Sequence, residues 1–180
     1  MQRRTLLTVG LTAGVLLTLA GGTLALLQPG RKDGQLTPSG RQLFTALAQA
    51  VLGSTLPAEP AARAKALQDH LLRVELTIAG MPPHVQAEVD ELVTIAGSTP
   101  GRIALVGLLA DWPAATLAQI GDALQGMRLS SLALRQQAYQ GLRELTNAAY
   151  FSDSSTWPAM GYSGQRAVHA DALPSSSTRS

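Results

Sequence analysis

The chain contains no cysteine, which excludes disulfide staples, thiolate-held metal and a cysteine nucleophile. Aromatic residues make up 4% of the 180 residues and charged residues 14%. Charge of one sign is also lacking. The formal net charge of +2 comes from 14 basic against 12 acidic residues, and without Arg3 and Arg4 the remainder is balanced. No basic stripe marks a nucleic-acid footprint. No useful length alternates apolar and polar residues with period two, which argues against a sheet. Also missing are a serine elbow, a glycine-rich phosphate loop and a haem-attachment pair.

The groups that remain are scattered. His84 and Glu88 share a helix face, but metal sites need several convergent ligands, so the pair reads as a surface hydrogen bond. Asp69-His70 reads as a solvated edge. Ser163 in "GYSGQ" lacks the preceding strand of a nucleophile turn. No catalytic, metal or cofactor-binding residue is assigned, and the chain is not expected to be an enzyme.

What is present begins with "MQRRTLLTVG". Arg3 and Arg4 head a stretch from Thr5 to Leu27 without any charge, diluted by Gly10, Gly14, Gly21 and Gly22. Leu6 and Leu7 follow the arginine pair directly. Residues 1–27 are therefore expected to be a twin-arginine-type export leader or a membrane anchor. A positively charged start before an apolar run suits a leader, and about 20 apolar residues also suffice to span a bilayer. An uncleaved leader would serve as both. The paired-arginine route exports cargo that has already folded, so something is expected to fold before export.

Residues 28–36, "QPGRKDGQL", read as a polar linker. From there helical periodicity takes over. Thr37-Pro38 is a cap followed by a first-turn proline. Leu43, Phe44, Leu47, Ala50 and Val51 then recur until Gly53. A second helix over 60–79 carries Leu67, Leu71, Val74 and Ile78. A third shows Val85, Val89, Leu92, Val93 and Ala96. "RIALVGLLA" is apolar nearly all round and predicts a central fourth helix. Asp111-Trp112-Pro113 predicts the start of a short fifth, with Leu117, Ile120 and Leu124. Ser130 or Ser131 predicts the cap of a sixth, which lasts to Tyr150 with Leu132, Tyr139, Leu142, Leu145 and Ala149 inward. The expected class is all-α: an irregular bundle of five or six helices over 37–151, after an N-terminal hydrophobic helix. An irregular tail, 152–180, follows.

The tail opens with "AAYFSDSSTWPAMGYSG". Tyr150, Phe151, Trp157 and Tyr162 bring most of the chain's aromatics into this one stretch. They either close the core, where large aromatics dominate the energetics, or form a docking segment for another protein. Both hold if Tyr150 points in and Trp157 or Tyr162 points out. Pro158 and Gly161 would pre-shape such a segment.

The arginine-pair leader, "LTPSGRQLFTALAQAVLGSTLP" and the ending "LTNAAYFSDSSTWPAMGYSG" together resemble the gluconate 2-dehydrogenase subunit 3 family. These are the small, gamma-type partners of exported flavin dehydrogenases. The resemblance runs from Leu36 to Gly164. It implies a non-catalytic accessory subunit whose leader escorts a folded large flavoprotein through the twin-arginine export machinery. It also implies FAD in that partner rather than in this chain, a periplasmic location, attachment to the inner membrane through the N-terminal segment, and a cytochrome c subunit as a further candidate partner. Tyr150, Trp157, Gly161, Tyr162 and Gly164 match the recurrent ending. With Phe151 and Pro158 they are the expected partner-binding residues. The alternative is a membrane-tethered periplasmic helical adaptor with no export role.

Overall fold

Thr37 and Pro38 open the first helix, α1 (Pro38–Leu52), because a proline at the first turn forfeits no helical hydrogen bond and has a helical φ already. Leu43, Phe44 and Leu47 are at most 1% exposed, and each contributes about 1.5–3 kcal/mol by burial. The protein is described by a computed structural model over residues 27–161. Within it the chain is all-α apart from one two-stranded hairpin. The expected N-terminal hydrophobic helix lies outside the described residues. Among those described, no helix is long and apolar enough to cross a membrane.

α1 is the central rod, packed by α2 (Pro60–Ala79), α3 (Pro83–Gly97), α5 (Leu117–Arg128) and α6 (Ala133–Phe151). Glu59 caps α2, its carboxylate accepting the backbone N–H groups of Ala61 at 3.0 Å and Ala62 at 2.6 Å. Those bonds hold its carboxyl below the usual carboxylate range. The predicted stripe Leu67, Leu71, Val74 and Ile78 is buried. Most of the core is one cluster around α1, and a smaller one gathers Ala48, Leu52, Leu56, Leu67 and Tyr150 at the far end of α1.

Three stretches differ from expectation. "RIALVGLLA" is not a central fourth helix. After the single turn α4 (Thr99–Gly101), residues Arg102–Val106 form a π turn that stops at Gly107. The Gly107 N–H reaches back five residues to the Arg102 carbonyl at 2.9 Å. Its φ of 84° is the left-handed conformation that glycine takes without strain. Leu105, Val106 and Leu108 are buried while Leu109 is 78% exposed.

Asp111-Trp112-Pro113 begins a turn rather than a helix. α5 starts at Leu117, where Thr116 and Gln119 form a reciprocal capping box. Leu132, expected inside, is the N-cap of α6 and is 61% exposed.

Residues 28–36 fold into a hairpin instead of a linker: β1 (Arg31–Lys32) pairs antiparallel with β2 (Gln35–Leu36). Asp33 and Gly34 turn the corner with φ of 51° and 82°, the two positive values a tight hairpin turn needs. The hairpin is docked. Gly30 N–H donates to Thr94 Oγ1 at 2.9 Å, Arg31 to Asp90 at 2.9 Å, and Leu36 N–H to Glu75 Oε1 at 2.9 Å. Gly40 of α1 allows this approach, since a Cβ there would run into the Gly30 carbonyl oxygen.

Candidate functional site

The aromatic ending is built around Arg73 of α2. α6 ends at Phe151, leaving its last carbonyls without helical partners. Arg73 Nε donates to the Ala149 carbonyl at 3.1 Å, and its terminal nitrogen meets Asp153 at 3.2 Å. One guanidinium thus caps α6 and grips the turn beyond it, with its positive charge at the negative end of the helix. Asp153 in turn accepts the Ser155 N–H at 2.9 Å and opens a 3-10 helix, Ser154–Met160. Hydrogen bonds from the Ser155 hydroxyl and amide, with Arg73 assisting, hold the Asp153 carboxyl below its usual range.

The expected docking residues divide. Tyr150 points inward: it is 5% exposed, and its hydroxyl donates to the Thr55 carbonyl at 2.9 Å. Its ring meets Phe151 edge-on with centroids 5.1 Å apart. Phe151 and Trp157 are half-buried and Pro158 is exposed. The Trp157 indole N–H donates to the Phe151 carbonyl at 2.9 Å, which folds the turn back onto the end of α6. Gly161 closes it with φ of 75°. Tyr162 and Gly164 lie outside the described residues, as do Arg3, Arg4, Leu6 and Leu7.

Beside this turn α2 exposes two leucines one helical turn apart, Leu72 at 53% and Leu76 at 71%. Arg73, which holds the aromatic turn, lies between them in the chain. Half-buried aromatics and exposed aliphatics therefore sit at the same height along α2. Aromatic anchors with an apolar surround are the composition of a protein-binding patch.

His70 was missed. It is not on a solvated edge: it is 0% exposed, and neither ring nitrogen has a hydrogen-bond partner. Its ring centroid is 6.4 Å from that of Tyr150. Burial, then the nearby Arg73 charge, lowers its pKa to about 4. The signal was present, because His70 falls in the same helical stripe as Leu67 and Val74. Asp69 does sit at the surface, paired with Lys65 at 2.7 Å.

His84 is exposed, and no group of three or more potential ligands gathers among the described residues. Glu91, one turn beyond Glu88, has its carboxyl pushed up by burial and by the Glu88 charge. A groove of about 340 Å³ runs between Leu109 and Asp122, and another of about 240 Å³ between Arg41 and Trp112. Neither brings a nucleophile together with a base. Comparisons with protein-family models, with curated proteins and with solved structures each return no match.

Proposed function

We propose that this chain is the accessory subunit of an exported flavin-dependent dehydrogenase, which it binds and escorts through the twin-arginine pathway and helps hold at the membrane. The observation that carries this is Arg3-Arg4 at the head of an uncharged, glycine-diluted run, in a chain whose other end carries a concentrated aromatic segment. The role is binding. FAD belongs to the partner, and this chain contributes a surface and an address. The aromatic turn held by Arg73, with Leu72 and Leu76 beside it, supplies that surface. The length of the uncharged run from Thr5 to Leu27 favours a second function, a membrane-tethered periplasmic adaptor without export duty.

Replacing Arg3 and Arg4 together by lysine separates the two. The escort role predicts dehydrogenase activity stranded in the cytoplasm. Activity that still reaches the periplasm rejects it and leaves the tethered adaptor. The docking surface is tested by Trp157→Ala in a tagged chain. Loss of one aromatic anchor is expected to weaken the complex by about 2 kcal/mol, read as depleted copurified flavoprotein with unchanged helicity by circular dichroism. Undiminished recovery would remove Trp157 from the interface.

A further inference from the structure

Among the buried polar groups His70 stands apart, because nothing satisfies it. Buried side-chain nitrogens are normally hydrogen-bonded. This ring is sealed with both nitrogens bare, between α2 and the end of α6 beside Tyr150. A neutral imidazole tolerates that at modest cost, whereas an imidazolium without a partner does not.

The charges around it give no relief. From its own helix Arg73 faces it with the same sign, and Arg63 lies two turns away on the same side of α2. Asp153, the carboxylate beyond α6, is committed to Arg73. Lys65 pairs with Asp69, and Arg41 of α1 pairs with Glu75. Arg143 and Glu144 of α6 are exposed.

We propose that His70 is an acid-operated latch: proton uptake there drives the end of α6, with Tyr150 and the aromatic turn behind it, off α2. The direction of opening follows from what holds that end. Arg73 clasps Ala149 and Asp153, and the Tyr150 hydroxyl clasps Thr55. A charged ring repels the first clasp and wedges against the second. The large core cluster around α1 does not include these residues, so it stays closed while the smaller one opens.

The pH window follows from the two protonation states. Above the ordinary value of 6.5 the ring is neutral whether the latch is closed or open, and the latch has its full hold. Between 6.5 and about 4 only the open form takes the proton, so the hold is lost progressively as pH falls. Where the escort function holds, the same titration loosens the segment assigned to the flavoprotein. The latch itself needs no partner.

Hydrogen–deuterium exchange on the full chain in mild detergent tests it, at pH 7 and pH 5 with rates corrected for intrinsic chemistry. Opening of residues 145–157 is expected to rise about twentyfold, with 43–52 and 117–128 unchanged, and His70→Phe should abolish the rise. The latch is overturned by a change of less than about twofold, by equal loss in all three segments, or by the same pH dependence in His70→Phe. Should that variant not fold, the imidazole resonance of His70 in the native chain decides. Uptake of a proton together with the rise in exchange supports the latch; a ring that titrates near 6.5 while 145–157 stay protected rejects it. The readout involves neither export nor a flavoprotein, so a failed arginine exchange and a failed latch are separate results.

Discussion

Trp112→Ala is expected to lower the unfolding free energy by about 3–5 kcal/mol, measured by urea denaturation followed by circular dichroism. Trp112 is 3% exposed and belongs to the main core, and its indole N–H donates to the Ala96 carbonyl at 3.0 Å in a buried position. It is the one large aromatic in the irregular stretch between the π turn and α5, and it pins that stretch to α3. Truncation leaves a cavity the size of an indole and an orphaned carbonyl together. Trp112→Phe separates the two effects. It keeps most of the ring and gives up the hydrogen bond, so about 1–2 kcal/mol should be lost. If alanine cost no more than phenylalanine, the ring would not be a packing element.

Arg102→Met is expected to cost about 2–3 kcal/mol in the same measurement. The Arg102 side chain is 6% exposed while that of Asp111, its ion-pair partner, is 70% exposed. Losing the arginine therefore strands no buried charge, because Asp111 remains in water. The cost arises at the backbone. Arg102 Nε donates to the Leu108 carbonyl at 3.2 Å and a terminal nitrogen to the Leu109 carbonyl at 3.3 Å. These carbonyls follow Gly107, where no helix continues to supply donors. Arg102 and Trp112 fasten the same loop from its two ends. The double variant is expected to lose at least about 0.5 kcal/mol less than the sum of the single losses. Strict additivity would mean that the two anchors act on independent pieces of structure.

Helices with a plain stripe were legible in the amino-acid pattern. Leu67, Leu71, Val74 and Ile78 recur at a helical spacing with a proline at one end and Gly80 at the other, and α2 follows them. What resisted sequence reasoning did so for physical reasons. In "RIALVGLLA" the apolar residues are buried by a tight turn that reverses at Gly107, and an uninterrupted apolar run carries no phase to distinguish that from a helix. The hairpin at Arg31–Leu36 has strands of two residues, too short for alternation to show, and only Asp33-Gly34 advertised it.

Trp112, beside a proline, carried the marks of a helix start; its long-range bond to Ala96 lies outside any local pattern. At the candidate site the concentration of aromatics after Tyr150 was visible, and so was the option of Tyr150 pointing inward. The part played by Arg73 was not, because it joins residues 76 positions apart. His70 was obscured by its neighbour: Asp69 belongs to the surface, while one residue further the helix has turned about 100° into the core.

The docked hairpin also decides how the domain bears mechanical load. Tension applied at Leu27 meets fasteners to two different helices within a few residues: Thr94 and Asp90 on α3, then Glu75 on α2. The pull is shared between two struts of the bundle before it reaches α1, so the helices are strained together in place of being peeled away singly. A tether attached at that end would drag the folded body behind it as one piece.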